Sequence, residues 1–375
     1  MKKTWILFST LMMVALAVVL IITQTKKEPR EIKIGAILPL TGDLATYGEN
    51  AKEGINLLVD EINAGGGLNG KKIVIVFEDS KALPNQAVSA MNKLINIDKV
   101  IAIIGEVASS PLLSIAPIAN KNKILVISPA ASSPDITNAG PFIYRVWPSD
   151  VFEVDRMASY VKNQGVKSIS LFYVNNDYGR ALAKEFKRLV GGTKIKVVEE
   201  DNFEQNTTDV RTQLSRIKQI NPEVVYLISY PKDSVLILRQ WRELGLKNRI
   251  FSTSSFEDPL ILKEVGDASE GVVFTSPIPP EETDTTVSAF KKNYEKRYGH
   301  TPGLVADYGY DALKVILESI RISGISNKNG VYEGIQKVNN ISGATGLINF
   351  DENGDVVKPA GIKIVKDHRF VWLEK

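Results

Sequence analysis

Residues 32–38, Ile-Lys-Ile-Gly-Ala-Ile-Leu, with the turn Pro39-Leu40-Thr41-Gly42 and the amphipathic run from Asn50 to Ile62 behind them, decide how this chain is read. The first seven alternate into a strand, Pro39 and Gly42 end it, and Ile55, Leu58, Val59 and Ile62 fall at helical spacing. Lys72 to Phe77 then reads as a second strand. Working outward, the same alternation continues. Helical patterns at 87–96, 115–119, 152–162, 181–189, 210–220 and 235–244 are interleaved with strand patterns at 100–104, 124–127, 168–173, 194–199 and 224–228. Parallel strands need a crossover, normally helical, between each pair, so the pattern predicts an α/β fold whose parallel sheets are covered on both faces. There are more such units than one sheet comfortably holds. Arg145-Val146-Trp147-Pro148 and Ser276-Pro277-Ile278-Pro279-Pro280 are proline-marked breaks that divide the chain into two lobes. A long helix over 305–323 and a hairpin of 362–365 with 370–373 complete the prediction, and no period of 20–50 residues suggests a solenoid.

Composition removes many functions. The 375 residues are 44% hydrophobic and 24% charged, enough apolar material for true cores in about two domains. With no Cys there is no disulfide framework, thiolate metal site or cysteine nucleophile, and the two His residues, His300 and His368, cannot build a multi-histidine metal centre. Of the net charge of +3, residues 1–30 carry +4, which leaves −1 on the other 345. A body so nearly neutral lacks the clustered Lys and Arg that nucleic-acid binding needs.

The first thirty residues have the layout of an export segment: Met1-Lys2-Lys3, an uncharged run from Trp5 to Ile22, then Lys26-Lys27. Eighteen apolar-biased residues would make a helix of about 27 Å, close to the ~30 Å hydrocarbon core, so an uncleaved anchor fits. Ala15-Leu16-Ala17 equally offers a small-residue cleavage pattern. Either way, the body is expected at the periplasmic or extracellular face of the cytoplasmic membrane.

Two motifs that look catalytic fail on context. Gly65, Gly67 and Gly70 match G-x-G-x-x-G, yet here a helix ends and a strand begins, the reverse of the order that lets a helix start face a phosphate. These glycines read as a helix stop and a turn needing positive φ. No G-x-S-x-G elbow occurs, which leaves a serine hydrolase without its nucleophile. No metal or cofactor is expected.

Ligands of open α/β sheets sit beyond the carboxyl ends of the strands. Five loops there carry suitable chemistry: Gly42–Gly48, Gly105–Pro111 with Ser109 and Ser110, Ser128–Pro134 with Ser132 and Ser133, Asn175–Gly179, and Tyr230-Pro231. Two serine loops on neighbouring strands can aim hydroxyl and backbone donors at one small carboxylate. Tyr47, Tyr178 and Tyr230 are expected at loop tips.

In their order these loops resemble those of the leucine/isoleucine/valine-binding solute receptors of branched-chain amino-acid ABC transporters. The resemblance runs from Ile32 to Phe370 through Ile34-Gly35-Ala36, Pro39-Leu40-Thr41-Gly42, Tyr47-Gly48, Ile62–Gly70, Ser128-Pro129-Ala130-Ala131, Asp177-Tyr178-Gly179 and Phe350–Asp355. It implies a type I periplasmic-binding-protein fold, two doubly wound Rossmann-like lobes joined by three crossings that close on a ligand by hinge motion. The expected division is 31–147 with 278–355 for lobe 1 and 148–277 with 356–375 for lobe 2. It also implies that Ser109 and Ser132 hold the ligand carboxylate, that Ala130 and Ala131 lend backbone groups, and that Tyr47, Tyr178 and Tyr230 wall the cleft. Amino-acid binders of this type place an acid for the α-ammonium in the loop after 249–252, where this chain has Ser254; Glu257, Glu106 and Asp307 are the candidates to replace it. The implied partners are a small solute, an amino acid or related carboxylate, and an ABC permease, with the protein itself a monomer and not an enzyme. A membrane-tethered sensor and a two-lobed hydrolase are the alternative readings.

Overall fold

The computed structural model describes residues 31–281 and 283–375, so the expected export segment at 1–30 lies outside the described residues. Five parallel strands, β1 (Glu31–Leu38), β2 (Lys72–Asp79), β3 (Ala102–Ile104), β4 (Leu125–Ser128) and β5 (Ile143–Arg145), form one sheet in the order β2-β1-β3-β4-β5. Helices α1 (Ala45–Ala64), α2 (Pro84–Lys93) and α3 (Ser109–Asn122) connect them. Strand β3 and the first three residues of β4 are apolar, and both strands are buried at every position, which only a doubly covered sheet can satisfy.

The second sheet repeats this order. Helix α4 (Asp150–Asn163) leads into β6 (Ser168–Val174), α5 (Asp177–Val190), β7 (Lys196–Phe203), α6 (Arg211–Ile220), β8 (Val224–Ile228), α7 (Pro231–Glu243), β9 (Arg249–Ser252), α8 (Pro259–Val265) and β10 (Val273–Pro277). Its strands run β7-β6-β8-β9-β10, the same 2-1-3-4-5 arrangement, all parallel. Beyond β10 come α9 (Thr285–Tyr298), α10 (Ala306–Ser323), α11 (Lys328–Ile335) and a short ribbon of β11 (Ile341–Gly343) and β12 (Gly346–Ile348). Last are β13 (Ala360–Lys366) and β14 (Arg369–Glu374), which extend the second sheet antiparallel to β10 and to each other. Their tight turn places Asp367 and His368 at φ 52° and 55°, the twist that suits a two-residue hairpin loop.

Helix α10 returns to the first sheet and lies against α1. The approach is close because Gly54 faces the Ala306 carbonyl and Gly309 faces that of Ala51, so that a Cβ on either would strike backbone. The chain therefore passes between the sheets three times, at 145–150, 277–285 and 355–360. After α1 the turn at 65–71 has positive φ at Gly66, Gly67 and Gly70, whereas Gly65 sits at −78° and simply closes the helix. That is a helix-to-strand turn, as its residues predict, and not a phosphate loop. Among the described residues no helix is long and apolar enough to cross a membrane.

Arg145 ties the first and third passages together. It is fully buried, and all five of its N–H donors are used. Nε and one Nη2 proton go to the two carboxylate oxygens of Asp355 at 2.6 and 2.7 Å, Nη1 donates to the carbonyls of Ser132 and Ser133 at 2.9 and 2.8 Å, and Nη2 also donates to the Thr137 hydroxyl at 2.8 Å.

Candidate functional site

The 2-1-3-4-5 order puts a switch point between β1 and β3 in one sheet and between β6 and β8 in the other, where loops diverge and leave a crevice at the strand ends. Both crevices open onto one pocket, lined from both sheets. The first sheet contributes Leu44, Tyr47, Val107, Ala108, Ser109, Ala130 and Ser132; the second contributes Tyr178, Tyr230, Ser254 and Ser255. Trp147 from the first passage, with Leu304 and Val305 ahead of α10, completes the lining.

One end is built to receive an anion. Helix α3 begins at Ser109 with Ala108 as its N-cap, which has no side-chain oxygen to offer, so the first-turn N–H groups keep their partial positive charge. The Ser109 oxygen accepts the Ser133 N–H at 3.2 Å, which leaves its own proton to donate elsewhere. Ser132 is held in place through its carbonyl, which accepts from Arg145 and from the Asp150 N–H at 2.9 Å. Ala130 lines the pocket, but Ala131 does not: its N–H donates to the Ser128 hydroxyl at 2.9 Å, and that hydroxyl donates to the Glu106 carbonyl at 2.6 Å. The backbone group expected from Ala131 is thus spent inside the loop.

The walls are aromatic. Tyr178 and Tyr230 stack with centroids 5.4 Å apart, and the Tyr178 hydroxyl lies 2.7 Å from that of Thr253 and 3.3 Å from that of Ser255. Tyr47 reaches across from the other sheet to donate to the Ser255 carbonyl at 3.4 Å. Burial raises all three tyrosine hydroxyls, so they stay neutral donors at any physiological pH. None sits at a loop tip. Tyr47 and Tyr178 stand in the first turns of α1 and α5, and Tyr230 is the N-cap of α7. Helix α1 begins five residues earlier than apolar spacing indicates, because 45–49 has little periodicity to read.

Each first-turn tyrosine is followed by a glycine pressed onto the preceding strand end. A Cβ on Gly48 would strike the Pro39 carbonyl, and one on Gly179 the Val174 carbonyl. Both contacts are with backbone, which cannot swing aside. Gly179→Ala is therefore expected to lift the start of α5, destabilise the protein by about 1–3 kcal/mol and weaken ligand binding by displacing Tyr178. Calorimetric titration with a thermal melt checks this; unchanged affinity would show that Tyr178 is not fixed by this packing.

Around the pocket the two sheets' loops already touch. The Asp177 N–H donates to the Ser110 hydroxyl at 3.1 Å, the Ser133 hydroxyl donates to the Asp177 carbonyl at 3.4 Å, and Lys232 donates to the Gly42 carbonyl and to Asp43 at 3.2 Å.

None of the three acids suggested for a ligand ammonium lines the pocket. Glu257 is paired with Lys363 and accepts the Ser276 hydroxyl at 2.6 Å. Glu106 lies fully buried behind the loop after β3, near Ser80, where burial pushes its carboxyl up to about 8. Asp307 faces Asp311 and Lys358, and burial with the like charge of Asp311 pushes it up to about 7. Sequence reasoning missed Trp147, Leu304, Val305 and Ser255, which come from interlobe passages and short loops without periodicity. It also missed Asp150 and Glu153, two buried acids at the start of α4. Among the described residues no group of three or more His, Cys, Asp or Glu is placed to hold a metal ion.

Comparison with known proteins fits this geometry. The sequence model of the family described as Periplasmic binding protein matches residues 31–366. The leucine-, isoleucine-, valine-, threonine- and alanine-binding protein of Pseudomonas aeruginosa is 29% identical over 327 residues, 87% of each chain. Among solved structures, a leucine-binding protein of Thermotoga maritima superposes with a TM-score of 0.83 at 33% identity, over 91% of this chain and 97% of that one. The branched-chain amino acid transporter substrate binding protein of Streptococcus pneumoniae, in complex with isoleucine, does so at 0.82 with 26% identity and the same coverage.

Proposed function

We propose, from the premise that this chain belongs to the periplasmic binding protein family and is a non-enzymatic substrate-binding protein of an ABC transporter, that it carries a small aliphatic α-amino acid, of the leucine or isoleucine kind, to a membrane permease. The observation that supports this reading is the polarity of the pocket. At one end Ser109, Ser132 and the start of α3 offer donors suited to a carboxylate; elsewhere Leu44, Val107, Leu304 and Val305 offer only hydrocarbon. A carboxylate joined to a short apolar side chain satisfies both. Because the walls come from both lobes, the lobes close over the solute, and its contacts with the second lobe supply the free energy that holds them shut. The work is done outside the cytoplasmic membrane, where the solute is met before import.

Titration calorimetry of the purified protein against leucine, isoleucine, valine, alanine and benzoate tests the reading. Leucine or isoleucine is expected to bind most tightly, and Ser109→Ala and Ser132→Ala are each expected to cost about 10- to 100-fold in affinity, the worth of a hydrogen bond to a charged group. Binding of benzoate without any amino acid would sink the amino-acid assignment. Unchanged affinity in both serine variants would remove the carboxylate from this end of the pocket.

A further inference from the structure

The amino-acid reading leaves a charge to be met. An ammonium enclosed between the lobes without an anionic partner would cost several kcal/mol, yet no acid is among the residues lining the pocket, and the loop after β9 carries Thr253, Ser254 and Ser255. Behind that loop lies Glu153, 1% exposed on α4. Its Oε2 accepts the Ser254 N–H at 3.0 Å and the Thr275 hydroxyl at 2.8 Å, which sets the carboxylate directly behind Ser254. Its Oε1 is buried with no partner among the described residues. A serine whose proton is committed to a carboxylate behind it turns lone pairs forward, so it accepts from an ammonium and disfavours a carboxylate.

One turn earlier stands Asp150, 1% exposed, its N–H on the Ser132 carbonyl at 2.9 Å and its Oδ2 buried and unpartnered among the described residues. Two fully buried carboxylates one helical turn apart oppose each other's ionisation, so one keeps its proton. Burial raises the Glu153 carboxyl too, but two donors already reach its Oε2, so of the pair it is the one that gives up its proton first. Arg145 also stands near Asp150, but its five donors are already taken, and burial dominates there in raising the Asp150 carboxyl. With Asp150 neutral, no carboxylate holds the Ser132 proton, which is then free for the ligand carboxylate. Tyr178 and Tyr226 are the remaining titratable groups beside both acids, Tyr230 lies beside Asp150, and Tyr308 and Glu257 lie beside Glu153; the tyrosines stay neutral.

Building on the amino-acid reading, we propose that this chain reads its ligand's two ends through two serines of opposite polarity, each set by an acid on one turn of α4. Ser254 backed by anionic Glu153 accepts from the α-ammonium, and Ser132 backed by neutral Asp150 donates to the α-carboxylate. Glu153 is a positioning residue that acts through Ser254, one side chain removed from the solute.

The test compares L-leucine with 4-methylpentanoate, the same molecule without its amino group, by calorimetry on the purified protein. Glu153→Gln is expected to weaken leucine by about 10- to 100-fold and to leave 4-methylpentanoate unchanged or tighter. Adding Ser254→Asp to that variant restores leucine by putting a carboxylate in the pocket itself. If Glu153→Gln fails to fold, Ser254→Ala carries the test, with the same split between the two ligands. Equal losses for both ligands, or no loss for leucine, overturn the relay and leave the amino-acid reading standing. A wild-type protein that binds 4-methylpentanoate or benzoate and no amino acid overturns that reading itself.

Discussion

Replacing Arg145 by methionine is expected to destabilise the protein by about 3–5 kcal/mol, the loss typical of removing one partner from a buried ion pair. The guanidinium fills a site with no access to water, and its removal strands three kinds of acceptor together. Asp355 is left nearly buried with its charge uncompensated, keeping only the Thr137 hydroxyl at 2.7 Å, while the carbonyls of Ser132 and Ser133 lose the donors that orient them. Methionine replaces much of the volume, so the effect reports electrostatics and hydrogen bonding rather than a cavity. Because Ser132 belongs to the carboxylate end of the pocket, affinity should fall along with stability. Adding Asp355→Leu removes the stranded charge and should recover part of the stability but little of the affinity, since the two carbonyls remain unheld. Urea unfolding and calorimetry on the single and double variants check both statements; a single variant within 1 kcal/mol of wild type would mean that water enters and solvates Asp355.

Glu106→Gln is expected to stabilise the protein, and only above mildly acidic pH. The unfolded chain releases this proton near the ordinary glutamate value of 4.5, whereas in the native protein burial holds it until about pH 8. Between those values the native state keeps a proton that the unfolded state has lost, so raising the pH through this window favours unfolding. At about 1.4 kcal/mol per unit the cost grows to a few kcal/mol by pH 8. A neutral amide of the same shape escapes it. Wild type and variant should thus match near pH 4.5 and diverge toward pH 8, with the variant the more stable, in urea melts taken across that range. Parallel profiles would place a counter-charge or water beside Glu106 Oε1, which has no partner among the described residues.

The α/β class was legible because strands such as those at 100–104 and 224–228 are apolar without interruption, and only a sheet covered on both faces tolerates that. The serine loops at 105–111 and 128–134 were legible for a related reason: they lie just past strand ends, where ligands of such sheets gather, while the choice of Ser109 and Ser132 within them rests on the resemblance. The tyrosines could be chosen but not placed, since their helices begin in polar turns that periodicity does not mark. Trp147, Leu304 and Val305 reach the pocket only through the way the two sheets face each other, a relation among residues far apart in the chain. The acids are the sharper case. Glu257, Glu106 and Asp307 were chosen as acids near the pocket loops, yet Glu257 is neutralised by Lys363, Glu106 is turned into the core and Asp307 faces Asp311 and Lys358. Asp150 and Glu153 read as ordinary acids favouring a helix start, and only the packing of α4 beneath the loop after β9 gives them another meaning.

The contacts of Ser110 with Asp177 and of Lys232 with Asp43 have a consequence for time rather than for affinity. They bridge the two lobes beside the pocket, so these contacts must part before the lobes can separate and release a captured solute. Residence is then the waiting time for a whole-lobe excursion, a motion of microseconds to milliseconds made rarer by every contact the solute adds. Arrival depends on the open form alone. Solutes of different affinity should reach the pocket at similar rates and differ in how long they are kept, so that a transporter meeting the occupied protein is presented chiefly with those that hold it shut.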